Sequence, residues 1–200
     1  MRKTARFLWE KGFTLVELLI VIALIGVLAV AVLAAINPLE QLNRARDTGM
    51  ESDASQLLAA IDRYYATQEK FPWQTVDPTN YPTPDTPLLI TSAQAQIVGV
   101  CAATCAGAGN DGILLGQYEL KSEFRNRKFI TTTSPMNELY LGKLLGASSS
   151  VYACWVPTSK AKRVKATHDT GSIPTAADTC DPAAATWGDL ATSCFICIPQ

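Results

Sequence analysis

The chain contains a single histidine, His168, among 200 residues. No nucleophile stands near it in a spacing that makes a catalytic pair, so it is expected to be a solvated loop residue. Charge is sparse as well, at 18% of residues. Between Phe13 and Ile36 there is no basic residue at all, and Glu17 is the only acidic one in 24 positions. The formal net charge of −1 hides an asymmetry. Residues 1–12 hold Arg2, Lys3, Arg6 and Lys11 against Glu10, which leaves 13 basic and 17 acidic residues in the rest. That mildly acidic remainder excludes nucleic-acid binding driven by bulk charge. No internal repeat is present.

What is there begins with the apolar run itself. As a helix, 24 residues reach about 36 Å at 1.5 Å per residue, enough to cross a hydrocarbon core of roughly 30 Å. The run exceeds the apolar segment of an ordinary secretory signal, and Ala34-Ala35 before Ile36-Asn37-Pro38 is a poor cleavage site of that kind. Basic residues in front of the run and none inside it keep the N-terminus cytoplasmic and send the rest outward. A carboxylate in such a run is costly, about 2.5–3.5 kcal/mol at bilayer centre, so Glu17 needs a partner or a task.

The string Lys11-Gly12-Phe13-Thr14-Leu15-Val16-Glu17, continued by an apolar stretch to Leu28, resembles the cleavage and assembly signal of type IV prepilins and of the type II secretion pseudopilins. The resemblance covers roughly the first 40 residues, more loosely 41–70, and no further. It implies cleavage after Gly12 by a prepilin peptidase and methylation of the new amine at Phe13. It also implies that Glu17, then the fifth residue, meets the terminal amine of a neighbouring subunit during assembly. Two opposite charges placed together in lipid relieve each other's desolvation. The implied partners are prepilin peptidase, other pilin subunits, an inner-membrane assembly platform and, before assembly, membrane lipid. The implied location is a single-pass inner-membrane protein with its head outside, becoming part of an extracellular or periplasmic filament. No cofactor is implied.

Residues 13 to about 70 read as one long helix. Its outer half carries apolar residues at Leu39, Leu42, Met50, Ala54, Leu57, Leu58, Ile61, Tyr64 and Tyr65, mostly at gaps of three and four. Arg44, Asp47, Glu51, Asp62 and Arg63 are expected on the opposite face. Pro38 is expected to kink or weaken the helix locally. From Pro72 onward, five prolines in 16 residues predict an ordered loop or extended wrap. Leu88 to Val100 is ambiguous, with a short helix ending near Gly99 as one option. Residues 101–112 read as loop. Strands are expected at Gly116–Leu120, Lys128–Thr132, Val151–Val156 and Phe195–Ile198, and Asn137–Leu145 is a short helix or strand. The expected fold is α+β and pilin-like, a long N-terminal helix packed on a small antiparallel sheet. The expected division is leader 1–12, membrane and assembly helix 13–36, amphipathic half 37–71 and globular head 72–200.

Cys101, Cys105, Cys154, Cys180, Cys194 and Cys197 all lie beyond the apolar run, on the outer side. An even number in an oxidising compartment predicts disulfides. Cys101 and Cys105 are expected to pair locally, and Cys154–Cys197 with Cys180–Cys194 is the favoured arrangement of the rest. Cys194-Phe-Ile-Cys197 has redox spacing but only three residues after it, so no helix is expected there to lower a thiol pKa. Zinc held by Cys154, Cys180, Cys194 and Cys197 fits in ligand count, but the single histidine and the outer location oppose it. No metal site is expected.

Three weaker patterns are set against plainer readings. Asp169-Thr170-Gly171-Ser172 and Asp47-Thr48-Gly49 resemble aspartic-protease strings, yet Asp47 sits mid-helix and Asp169 follows no apolar strand. The basic run Lys160, Lys162, Arg163, Lys165 is expected to be a solvated turn, with DNA or anionic-surface contact as the alternative. Asp178, Asp181 and Asp189 match no calcium-loop spacing. Two functions follow. The first is a structural subunit of a type IV pilus-like filament, with a secretion pseudopilin as its variant. The second is a membrane-anchored extracellular enzyme, which needs neither Glu17 nor the Gly12-Phe13 junction and has a poor catalytic inventory.

Overall fold

The computed structural model describes residues 12–83, 88–90, 95–102, 105, 108–131, 137–146, 149–169, 180–187 and 192–199. The fold is α+β. Helices α1 (Leu15–Ala35) and α2 (Pro38–Gln68) are followed by a head of short helices and an antiparallel sheet. The chain divides into two compact units, with the boundary between Leu39 and Glu40.

The long helix expected over 13–70 is two helices. Ile36 is extended, with φ −96° and ψ 121°, and α2 restarts at Pro38. The cause is local. Asn37, the residue before Pro38, is disfavoured in the helical region, so α1 has to end ahead of it, whereas proline in a first helical turn sacrifices no hydrogen bond. Pro38 therefore begins a helix instead of bending one. At the other end, Glu69 takes φ 55°, and its N–H donates to the Tyr65 carbonyl at 2.8 Å. This is a left-handed cap, built here without glycine.

Helix α1 is apolar all round, and its described side chains from Leu15 to Leu33 are exposed. Its 21 residues amount to about 32 Å, a length and composition sufficient to cross a bilayer.

Within the second unit, α2 buries Asp47, Met50, Ala54, Leu57, Ile61 and Tyr64. These gaps of three and four make one stripe. Two expectations fail at its N-terminal end. Leu39 and Leu42 are exposed, and Asp47, expected on the solvent face, is 1% exposed. Asp47 lies seven and fourteen positions before Ala54 and Ile61, so helix geometry puts it on the packed face whatever its charge.

Strands β1 (Leu88–Ile90), β2 (Tyr140–Lys143), β3 (Val151–Trp155) and β4 (Ile196–Ile198) pair antiparallel in sequence order. Side chains alternate across the sheet. Leu141, Val151, Ala153, Trp155 and Ile196 join the α2 stripe in the main core, while Tyr140, Cys154, Val156, Phe195 and Cys197 form a smaller cluster on the other face. Tyr65, Phe71 and Trp73 stack with centroid separations of 4.4 and 4.6 Å. Lys143, 1% exposed, sits 5.5 Å from the Phe71 ring centroid. Its Nζ donates to the carbonyls of Leu144 and Gly146, which offsets the cost of burying a cation.

Three expectations for the head are corrected. Gly116–Leu120 is not a strand. It is the end of helix α5 (Ile113–Gly116) and a turn in which Tyr118 has φ 61°. Tyr118 is 93% exposed and Leu120 is 6% exposed, so the apparent alternation never shares a face. Of the strand expected at Lys128–Thr132, residues 128–131 form helix α6 instead, and Thr132 lies outside the described residues. That turn buries only Phe129, edge-on to Phe124 at 5.6 Å, and it pairs with no strand among the described residues. The proline-rich segment opens with helix α3 (Pro72–Val76), again with proline in the first turn. The segment that was ambiguous from Leu88 to Val100 contains β1 and then helix α4 (Ala95–Val98), followed by Gly99 at φ +84°. A side chain at Gly99 would collide with Ile113, so glycine is required there on both counts.

All six cysteines are disulfide-bonded, as Cys101–Cys105, Cys154–Cys197 and Cys180–Cys194. Cys154 and Cys197 face each other directly across β3 and β4.

Candidate functional site

The N-terminal site is built from Gly12, Phe13, Thr14 and Glu17. Phe13 is 84% exposed, and among the described residues nothing comes within 4 Å of the space beside Gly12 where a side chain would be. Thr14 is the N-cap of α1. The Glu17 carboxylate accepts from the Thr14 N–H at 2.9 Å and from its hydroxyl at 2.8 Å, and the Glu17 N–H donates back to the same hydroxyl at 3.2 Å. This is a capping box. It satisfies donors that an isolated helix start leaves open, a need that becomes acute in lipid. The signal was present in the sequence as Thr-x-x-Glu before an apolar run. Glu17 thus has a local task in the single chain, in addition to the inter-subunit role that the resemblance implies.

A second constellation, legible only in three dimensions, lies where α2 meets the segment after β3. Asp47 Oδ1 accepts from the Thr158 N–H at 2.9 Å and its hydroxyl at 2.8 Å. Oδ2 accepts from the Ser159 N–H at 2.8 Å and its hydroxyl at 2.6 Å. Four donors thus surround one buried carboxylate, which is what makes its burial affordable. Glu40, about two turns of α2 earlier, accepts from the Lys160 N–H at 3.0 Å.

The basic run expected as a solvated turn is therefore a docked element. Residues Lys160–Arg163 form helix α7, capped by the Ser159 hydroxyl. Lys162 Nζ pairs with Glu51 at 2.7 Å, and the Arg163 guanidinium lies 4.8 Å from the Trp187 ring centroid. His168 also differs from expectation. It is half-buried and forms an antiparallel bridge with Phe195, and its Nδ1 is buried with no hydrogen-bond partner among the described residues. The bridge extends the edge of β4.

The hydrogen bond from the Lys160 backbone is the main reason the Glu40 carboxyl titrates below its ordinary value. Its contribution to stability is fully present above about pH 4.5, the ordinary value, and is lost as pH falls through the lowered one. Glu40→Gln is accordingly expected to lose less stability than the parent between about pH 6 and about pH 3. Melting midpoints over that range check this, and parallel curves would contradict it. Asp53 behaves oppositely, because burial raises its pKa more than the Arg127 guanidinium, 3.3 Å away, lowers it.

The remaining sequence candidates are not brought together. Asp47 is committed to Thr158 and Ser159, and residues 170–172 of the second protease-like string lie outside the described residues. Asp178 and Asp189 also lie outside them, while Asp181 caps its own turn through the Ala183 N–H. Cys154, Cys180, Cys194 and Cys197, the zinc alternative, are bonded in pairs. Among the described residues, no group of three or more His, Cys, Asp or Glu side chains is placed to hold a metal ion.

No curated protein and no solved structure matches this chain. Residues 10–33 do match the prokaryotic N-terminal methylation motif. That stretch, which takes in most of the apolar helix α1, is the type IV prepilin and pseudopilin signal, and it implies processing by a prepilin peptidase and assembly with other pilin-type subunits.

Proposed function

We propose that this protein is a structural subunit of a type IV pilus-like filament. It is made as a membrane prepilin with residues 1–12 as leader, cleaved after Gly12, methylated at Phe13 and assembled through α1. The head, held outside the membrane, supplies the filament surface. The observation that carries this reading is the methylation motif over residues 10–33 together with one carboxylate, Glu17, in the otherwise charge-free span 13–36. A neutral glutamine would complete the same cap, so the charge itself calls for a task beyond anchoring. The inner-membrane assembly platform and sister subunits are the partners of this reading.

Mass spectrometry of the mature chain is expected to find Phe13 at its start, carrying one added methyl group. A mature chain that begins elsewhere, or keeps Met1, would refute the proposal. Gly12→Glu is expected to leave uncleaved precursor in the membrane, since only a residue without a side chain lets a protease approach the backbone so closely.

The capping geometry makes a sharper test of Glu17 available. Glutamine also completes a capping box but carries no charge. Glu17→Gln is thus expected to insert and be cleaved while filament yield collapses, as in Glu17→Ala. If glutamine assembled normally and alanine did not, the carboxylate would be acting as a cap and not as the counter-charge of a neighbour's amine.

A further inference from the structure

On the reading that this chain polymerises, we propose that adjacent copies dock head to head across opposite flanks of α2, the acidic groove of one receiving the basic rim around Lys128 of the next. The argument starts from one helix. With about 100° between successive residues, the buried stripe of α2 leaves a flank on either side. Glu51, Ser55, Leu58 and Asp62 lie on one flank, and Arg46, Gly49 and Asp53 lie on the other, about 180° away.

The two flanks have opposite chemistry. The first borders a groove of about 450 Å³ that runs between α2 and the end of the β3–β4 pair. Leu58, Val151 and Ile198 give it apolar walls, and Glu51 and Asp62 give it carboxylates. Glu51 already holds Lys162, whereas Asp62 is exposed. The second flank borders a cleft of about 300 Å³ with Arg46, Arg127 and Lys128 around the single carboxylate of Asp53. Arg127 and Lys128 are exposed on its rim.

A symmetric dimer through either surface would set like charges against each other, which disfavours that arrangement. Acidic groove against basic rim is favourable, and it uses each surface once per copy. Such a contact is heterologous, and a heterologous contact that does not close on itself propagates as a helical filament. The occupant consistent with both surfaces is therefore a second copy of this chain. Arg46 and Lys128 also have contacts within the chain, and the proposal adds a neighbour's carboxylate without displacing those contacts.

The test is a charge swap in the full-length chain expressed with its assembly machinery. Asp62→Lys alone and Lys128→Glu alone are each expected to lower the yield of sheared filaments at least about tenfold, since like charges then face each other. The chain carrying both changes is expected to recover. Non-reducing gels that show three intact disulfides in each variant establish that the head has folded. Asp62→Asn and Lys128→Gln provide milder neutralised versions should a reversal fail that check. Single variants that assemble like the parent, or a double variant no better than the worse single, would overturn the contact while leaving the filament reading intact. No filament from the unaltered chain would overturn both.

Discussion

Asp47→Ala is expected to destabilise the head by about 3 kcal/mol, a large share of the 5–15 kcal/mol typical of a folded domain. The carboxylate accepts from the backbone N–H groups and hydroxyls of both Thr158 and Ser159. The hydroxyls can turn to other acceptors, but the two N–H groups cannot, and each buried donor left open costs about 1–3 kcal/mol. Ser159 is fully buried, so water is poorly placed to substitute. Asp47→Asn is expected to rescue little, because an amide NH2 would point at donors where an oxygen had been. Thermal melting of the purified full chain in detergent measures the loss. A change below about 1 kcal/mol, within reach of an ordinary surface substitution, would show that the latch is dispensable. The basic helix α7 hangs from the same latch, so Asp47→Ala is also expected to expose the 160–165 segment to trypsin.

Removing the cross-strand disulfide is expected to cost about as much. Cys154 and Cys197 are 43 positions apart, and closing a loop of that size is worth about 4 kcal/mol in the chain-entropy account. The corresponding figures are about 3 kcal/mol for Cys180–Cys194, 14 positions apart, and about 2 kcal/mol for Cys101–Cys105, four apart. Paired Cys→Ala variants are therefore expected to melt in that order, with Cys154→Ala/Cys197→Ala lowest. Thiol labelling of the denatured, unreduced parent should find no free cysteine. Four free thiols would remove the two larger loops from the account, and an inverted melting order would show that local packing outweighs loop entropy.

Both effects bear on assembly through the head. The latch fixes the stretch after β3 to α2, and the Cys154–Cys197 bridge fixes β4 to β3. The groove beside Asp62 is walled by α2, β3 and β4 together. Loosening either attachment changes the shape of a surface that the proposed filament contact uses.

Much was legible in the residues alone. A charge-free apolar run is a physical statement about solvent, so α1 and its single carboxylate needed no tertiary context. The capping box at Thr14 and Glu17 is a four-residue pattern and is likewise local. Three-four spacing placed Met50, Ala54, Leu57, Ile61 and Tyr64 on one face, and β-branched and aromatic runs located β3 and β4. An even number of cysteines beyond the membrane run led to the expectation of disulfides.

Tertiary structure decided the rest, wherever a local preference was weak or a charge misled. Lys128–Thr131 and the turn at Tyr118 have strand-like residues but no strand paired with them among the described residues, and a strand without a ladder partner leaves its backbone polar groups open. Asp47, judged by charge, belonged on the solvent face. Four donors from residues more than a hundred positions away made the buried site favourable. The basic run became a docked helix for the same reason, since Glu40 and Glu51 on α2 supplied its partners. Composition and periodicity thus determine what a segment tends to bury. Which charges can be buried, and which short runs become strands, depends on partners that only the folded chain brings within reach.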